Sequence, residues 1–517
     1  MIATIQIRLS PKASNHTQTI KNSISNKIGI PVQSINDIRI IRRSLDARSR
    51  NIQYNLTIEY ACNSIQTLPK KEILFNRQQV DSAEEVHIIG CGPAGLFAAL
   101  TLIEHGYKPI IFERGKTIEK RKIDIAMLHQ NKDVRKHSNY SFGEGGAGTF
   151  SDGKLYTRSK KKGDPQRIID LLCLHGANKQ IGIDAHPHIG TDKLPGIIKN
   201  IRQTILDCGG EIHFSTHVSG FKTKNNKISE LILNSNTTIA VQQVILASGH
   251  SARDVYYALH ESGIRIESKP TAMGVRVEHP QEFINNNQYH GVSSPYLPPA
   301  EYSLAHTTDD KGVYSFCMCP GGIIVPASTH PQQLVINGMS NSLRNSKFAN
   351  SGIVVSLDEK DYEPFKEHGV FAGLKFQEHL ESLAFQNGGA NLQAPAQRIS
   401  DFIAKKISQN LPECSYTPGI ISSPLHFWLP EPIAEKLQEA FKIFSKRIRG
   451  FASNDGILVG VESRTSSPIR IPRKPIQLHH EDIINLYPCG EGAGYAGGIV
   501  SSATDGINCA LAITQNK

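Results

Sequence analysis

Two glycine-rich turns constrain this chain more than any other feature. The first lies in "VHIIGCGPAGLFAALTLIEHG", Val86 to Gly106, and the second in "YPCGEGAGYAGGIVSSATDGINCA", Tyr487 to Ala510. Each stands between a short apolar run, read as a buried strand, and a stretch with helical spacing. In the first turn Gly90, Gly92 and Gly95 fit the pattern G-x-G-x-x-G as "GCGPAG". Gly90 allows the tight turn out of the strand, Gly92 lets the main chain approach a pyrophosphate, and Gly95 lets helix and sheet pack closely. The helix opens at Pro93 and Ala94 and carries Leu96, Ala99, Leu100 and Ile103 on one face. Its amino end offers free N–H groups and a partial positive charge to phosphates. The next strand, "KPIIFER", ends at Glu113 and Arg114, where recognition of a ribose hydroxyl requires a carboxylate. The pattern predicts a dinucleotide site.

The rest of the chain decides which dinucleotide. "VILASGHSARD" ends a strand at Ala247, Ser248 and Gly249, small residues that let the chain pass close to a ligand, and Ser251 and Asp254 have the spacing of a capping box. The second glycine turn supplies a further strand-turn-helix near the end of the chain. A ligand with a ribityl chain and a ring beyond its pyrophosphate needs such an element for its far half, which points to FAD. Glu491, after Gly490, is expected to accept from a ribityl hydroxyl. Gly497, Gly498 and Ile499 open a helix with Ile499, Ala503, Ile507 and Ala510 at helical spacing. Its positive end would face the flavin, where reduction builds negative charge. The glycine-rich loop Ser141–Leu155, with Gly146 at its centre, is expected to contact flavin or substrate, since such a surface needs backbone freedom.

At these residues the sequence resembles the large FAD-binding superfamily that includes glutathione reductase. The strings "RRSLDARSR", "NYSFGEGGAGTFSDGKLYTR", "YSFCMCPGGIIVPAS", "NGMSNSLR", "GVESRTSSPIRI" and "YPCGEGAGYAGGIVSSATDGI" narrow the likeness to a bacterial family of FAD-dependent dehydrogenases whose substrates are unknown. The resemblance runs from the first residues to the last helix. It implies FAD and the fold but no reaction; the leading expectation is an FAD-dependent oxidoreductase that moves hydride between a small molecule and flavin N5. In the superfamily a valine of the strand pair after the first unit often holds the adenine through its backbone, a position that Val218 in "STHVSGF" matches, and the third motif usually carries Gly-Asp, whereas this chain has Gly490 and Glu491.

The expected fold is α/β: a Rossmann-like FAD-binding domain with a parallel sheet and a β-meander, an inserted α+β substrate domain, and a small N-terminal α+β domain. The expected boundaries are 1–80 for the N-terminal domain, 81–268 and 451–517 for the two parts of the FAD-binding domain, and 269–450 for the cap over the substrate. Short strands are expected from Lys269 on, among them "GVRVEH", "AEYSLAHT", "GVYSFCMCP" and "QLVINGM", and helices through much of 365–450. At 517 residues, 39% hydrophobic and 20% charged, the composition is that of a soluble globular protein with two or three domains. No run of about 18 apolar residues suggests a membrane span. Nine cysteines, mostly isolated, are expected to be reduced thiols in a cytoplasm.

The net charge of +10 is uneven: residues 1–80 hold twelve Lys and Arg against four Asp and Glu. The densest stretch is "RIIRRSLDARSR", Arg39 to Arg50. A solvated basic face is the favoured reading. Nucleic acid stays open as a partner without being favoured, giving the alternative of an RNA-associated flavoprotein. Oligomeric state is left open.

For catalysis the sequence is sparse. Arg464 and Arg158 are candidates to hold an anionic substrate, against the plainer reading of an arginine in an ion pair. At most one of Cys317 and Cys319 is expected to face the flavin, and two cysteines so spaced do not complete a zinc site. No metal is expected. None of the 21 histidines stands in a pattern that marks a base, and no catalytic acid or base is named.

Overall fold

The computed structural model describes residues 1–63, 65–70, 72–130, 133–156, 163–308 and 310–515. The chain begins with β1 (Ile2–Leu9), α1 (Thr17–Ile28), β2 (Ile35–Asp46) and β3 (Gln53–Cys62). These strands form an antiparallel sheet with β3 in the centre. Alternation along the strands sends Ile7, Leu56, Ile58 and Tyr60 into a small core with Ile20 and Ile24 of α1. Three of the five arginines of the basic stretch meet carboxylates. Arg39 pairs with Glu59 at 3.4 Å, Arg43 with Asp184 at 2.7 Å and Arg48 with Asp46 at 2.7 Å. The Arg43 pair also fastens this unit to the body that follows. The boundary expected at residue 80 falls too late. Val80 is fully buried in the core of the next unit, its N–H donates to the Cys208 carbonyl at 2.8 Å, and Asp81 packs against Gly209.

The second unit runs β4 (Glu85–Ile89), α2 (Pro93–Glu104), β5 (Lys108–Phe112), α3 (Ile118–His129), α4 (Pro165–Leu174), α5 (Leu194–Asp207) and β6 (Glu211–His213). It continues through β7 (Val218–Lys224), β8 (Lys227–Leu233), β9 (Thr237–Ala240), β10 (Val244–Leu246) and α6 (Arg253–Glu261). The third comprises β11 (Glu267–Ser268), β12 (Thr271–Pro280), α7 (Gln281–Gln288), β13 (Ala305–Thr308), β14 (Lys311–Cys319), β15 (Gly322–Pro326), β16 (Ile336–Ser340) and β17 (Phe348–Leu357). Then come α8 (Ala372–Asn387), β18 (Ala394–Arg398), α9 (Ile399–Ile403), β19 (Ile420–Ser422), α10 (Leu425–Trp428), α11 (Glu431–Arg447) and β20 (Ile457–Glu462). The chain returns to the second unit with β21 (Ile469–Arg470), β22 (Leu486–Pro488) and α12 (Ile499–Gln515).

A parallel sheet in the order β22-β10-β4-β5-β6 forms the heart of the second unit, with β7-β8-β9 as an antiparallel meander beside it. Its central strands read as unbroken apolar runs because both faces are covered. Helix α2 is buried on every side rather than on one face: Phe97, Ala98 and Leu102 are as hidden as Leu96 and Leu100. It lies between the sheet and α12, and the two helices cross closely because a Cβ on Gly506 would stand 2.1 Å from the Ala94 carbonyl oxygen.

The cap is a seven-stranded sheet, β13-β14-β17-β12-β20-β18-β19, antiparallel except for the β18–β19 pair, with α11 packed on it. Two expectations are corrected here. β20 was assigned by sequence to the returning part at 451–517, yet it pairs with β12 and β18 inside the cap sheet. The strand expected from Ala300 is confined to Ala305–Thr308. Among the described residues no helix is long and apolar enough to cross a membrane.

Candidate functional site

The carboxyl ends of β4, β10 and β22 open onto one cleft of about 640 Å³, roofed by β14 and β16 of the cap. Every residue singled out above for the cofactor lines it except Gly95. Gly95 lies behind the wall, where a Cβ would stand 2.0 Å from the Gly90 carbonyl oxygen, so it serves the packing of helix on turn. Gly90 has φ 107°, and a Cβ there would meet the Ala247 carbonyl oxygen at 2.4 Å.

Other glycines have no such protein reason. A Cβ on Gly92 would find its nearest neighbour at 3.8 Å, and φ there is −83°, which any residue adopts. Around Gly497 nothing lies within 4 Å, nor around Gly498, although the φ of 159° at Gly498 by itself favours glycine. All three border the cleft, at the first turns of α2 and α12. Both helices therefore begin at the cleft and present unpaired N–H groups to it. His250, on the same wall, has a buried Nδ1 with no hydrogen bond, its nearest charged neighbour being Glu491 at 3.6 Å. Bare glycines, two helix starts and an orphaned buried nitrogen in one cleft fit a long dinucleotide that contributes the missing contacts.

Glu113 is less free than its sequence position suggested. Its carboxylate accepts from the backbone N–H of Cys91 at 2.9 Å, Gly115 at 2.8 Å and Gly143 at 3.0 Å. Three of its roughly four acceptor positions thus bind the loops together, leaving one toward the cleft. Arg114 lies 4.5 Å over the Phe142 ring and forks onto Asp254 at 2.9 and 3.1 Å. The capping box expected at Ser251 and Asp254 does not form. The residue before α6 is Ala252, with no side-chain cap, and Asp254 instead pairs with Arg114 and with His217 at 2.9 Å. Burial opposes the Asp254 charge, but His217 and Arg114 overcome it and hold the carboxyl well below its usual range.

The loop Ser141–Leu155 lies across the starts of α2 and α12. Gly146, with φ 62°, brings its main chain against Gly92, and Gly148 sits against Ile499 and Pro93. Arg121, wholly buried, holds this loop by donating to the carbonyls of Asn139 at 2.7 Å, Tyr140 at 2.8 Å and Glu144 at 2.8 Å. Burial pushes its pKa down to about 10. No sequence motif marks Arg121, because its partners are carbonyl oxygens.

On the cap side, Arg464 is an ion-pair residue. It forks onto Glu381 at 2.9 and 3.0 Å and donates to Ser251 and Thr329, while Arg253 of α6 reaches the same carboxylate at 2.8 Å. Although Arg464 borders the cleft, its charge is spent on Glu381. Arg158 lies outside the described residues. Cys317 and Cys319 both line the cleft. Positions two apart on a strand share a face, and here a bulge with Cys317 at φ 51° re-aims the pair as well. Cys319 is buried and its thiol is pushed up to about 11 by that burial, so it is no thiolate. The sequence reading did not single out Lys154, Tyr156, Phe316 or Asn337, which complete the roof.

Residues 270–465 match the model of a family described as "FAD-dependent protein, C-terminal domain-like", and residues 1–61 match a domain of unknown function. A Clostridium beijerinckii protein, described as uncharacterised, is 40% identical over 515 residues, 96% of each chain. Solved structures with some likeness include CtdE in complex with FAD, at 12% identity and TM-score 0.33 over 84% of each chain. Another is L-proline dehydrogenase from P. horikoshii, at 12% identity and TM-score 0.33, over 84% of this chain and 94% of that one. Likenesses that distant carry no argument about this molecule.

Proposed function

The chain belongs to the same protein family as its Clostridium beijerinckii relative and carries the FAD-dependent C-terminal domain, and from that premise we propose a dehydrogenase acting on a small molecule. FAD is its cofactor and it is a flavoprotein oxidoreductase. The finer reading, hydride transfer between substrate carbon and flavin N5, and a place in the superfamily that includes glutathione reductase, are part of this proposal. The observation that carries it is the pair of cleft glycines, Gly92 and Gly497, that neither a protein neighbour nor their own backbone angle requires.

Bound in the cleft, FAD supplies hydride transfer at its ring, and the protein supplies position and electrostatics. The α2 start, through Gly92, Pro93 and Ala94, receives the pyrophosphate on its free N–H groups. Glu113 keeps one acceptor position for a ribose hydroxyl. Val218 and Arg114, the latter fixed by Asp254 and Phe142, close the adenosine end. Ala247, Ser248 and Gly249 let β10 end close to the ligand. Glu491 beside His250 makes a polar pair for the ribityl chain. Gly490 turns the chain, and Gly497, Gly498 and Ile499 would seat the ring, with Gly148 against Ile499. The roof excludes water from the reacting face. The basic N-terminal unit gives no specific support to an RNA-associated role, since Arg39, Arg43 and Arg48 are engaged by carboxylates.

Denaturing the purified yellow protein should release one intact FAD per chain, and anaerobic screening of metabolite pools should find one that bleaches the colour. Released FMN, or a colourless protein that FAD cannot reconstitute, overturns the reading.

A further inference from the structure

Resting on the reading just given, we propose that the substrate is a small carboxylate, bound under the roof of the cleft between the Lys154 ammonium and the Asn337 amide. Charge is the first support. Among the described residues, the Lys and Arg side chains lining the cleft are Arg114, Lys154 and Arg464. Arg114 is matched by Asp254, and Arg464 and Arg253 by Glu381 and, at 3.8 Å from Arg253, Glu378. Lys154 has no carboxylate partner there, and its ammonium donates to a neutral acceptor, the Met318 carbonyl. The neighbouring Asp152 is matched by Arg344, at 2.8 and 3.2 Å, and also accepts from Ser340. Among the described cations lining the cleft, Lys154 is thus the one whose ammonium meets no carboxylate directly, Asp152 and Glu301 acting on it only through space.

The second support is the orientation of Asn337. Its Oδ1 accepts from Arg276 at 3.1 Å and from the Gly338 N–H at 2.7 Å. Arg276 is itself locked, wholly buried, onto Glu462 at 2.8 Å and Asn350 at 2.6 Å. With its oxygen committed, Asn337 has only the two N–H bonds of its amide to offer, and it lines the cleft. The same bulged segment of β14 ties the two donors to one place: Lys154 holds the Met318 carbonyl and Arg276 reaches the Cys317 carbonyl at 3.5 Å. One cation and one neutral donor match a singly charged, two-oxygen acceptor better than a doubly charged phosphate. Phe316 and Tyr156 line the same end and offer apolar surface to the rest of the molecule.

The test is titration of the flavin-loaded protein with acetate, benzoate, benzamide and inorganic phosphate, read by calorimetry and by the visible spectrum of the bound FAD. A carboxylate should bind and perturb the spectrum, while benzamide and phosphate should not. Lys154→Met should weaken carboxylate binding about ten- to hundredfold, as loss of a charge-assisted hydrogen bond does. Lys154→Arg should restore most of it, and Asn337→Asp should repel the anion, all with FAD content unchanged. Equal binding by wild type and Lys154→Met, equal binding of benzamide or phosphate, or no binding by either carboxylate overturns the proposal. A protein that holds no FAD would instead overturn the preceding reading.

Discussion

The two walls of the cleft are made of different material. The wall below, from β4, β10 and β22, is main chain: glycines, helix starts and backbone N–H groups gathered by Glu113. The roof is side chain. Its shape is held by buried charges, Arg276 with Glu462, Arg464 and Arg253 with Glu381, and Arg344 with Asp152. A main-chain wall meets a ligand common to many proteins and tolerates little change of residue. A side-chain wall can be re-cut by substitution to fit a particular substrate, at the cost of burying charges that must stay paired.

The largest effect that separates the walls should come from the glycines. Gly95→Val places a side chain against the Gly90 carbonyl and should cost about 3 kcal/mol or more, giving little folded protein. Gly92→Val should fold, since nothing of the protein lies nearer than 3.8 Å to its Cβ, and should lose FAD. Thermal melting together with flavin content checks both. Full FAD occupancy in Gly92→Val would break the assignment of the lower wall to the cofactor.

Next in size is the roof. Glu381→Gln leaves Arg464 and Arg253 buried beside a neutral amide, and breaking such a buried pair costs about 3–5 kcal/mol. Calorimetry should show a thermal midpoint lower by roughly 3–5 degrees. A midpoint that does not move would mean the roof is not held by its charges.

Acidity should pull two roof carboxylates in opposite directions. Burial raises Glu381 toward neutrality, but Arg253 and Arg464 prevail and bring it down to about 2. Its stabilisation is present above the ordinary 4.5 and is lost as pH falls toward about 2. Glu278 on β12 is the reverse: burial pushes it up to about 7 despite the hydrogen bonds from Ser415. Its contribution is full below 4.5 and is lost as pH rises through about 7, worth up to about 3 kcal/mol over that window. Glu278→Gln should flatten the stability profile between those limits, as followed by urea unfolding at stepped pH. An unchanged slope would remove Glu278 from the account.

The smallest effect concerns the α12 start. Gly497→Asp puts a negative charge beside the positive helix start, with open space around its Cβ. An effect of about 0.3–2 kcal/mol lowers a two-electron potential by roughly 5–40 mV. A dye-coupled anaerobic titration measures it. An unchanged potential with FAD bound would leave α12 as packing alone.

The same contrast explains what the sequence disclosed. The lower wall is written in contiguous stretches, because a strand, a tight turn and a helix start are neighbours along the chain. Hence Gly90, Gly92, Glu113, Gly490 and Gly498 could all be named from spacing. The roof joins residues far apart, Arg276 to Glu462 and Arg344 to Asp152, and no local pattern records a partner nearly two hundred positions away. Lys154 stood inside a stretch already noticed for its glycines, but its significance depends on which other charges are cancelled. Arg464 shows the converse, conspicuous in sequence and already engaged in the fold. β20 was misassigned for a related reason. "GILVGVES" reads as a strand, but nothing local says which sheet it will join.

β11 and β21 form a two-stranded antiparallel pair, Glu267 opposite Arg470 and Ser268 opposite Ile469. The cap therefore leaves and re-enters the host at one point. A module whose two ends already meet adds little loop-closure entropy to the body that carries it, so it can be exchanged as a cassette. Substitutions in the roof can then accumulate without disturbing the glycine-lined wall beneath. Arg253 sets the condition on any exchange: it belongs to the host, its carboxylate Glu381 to the guest, and a transplanted cap must bring an acid to that position.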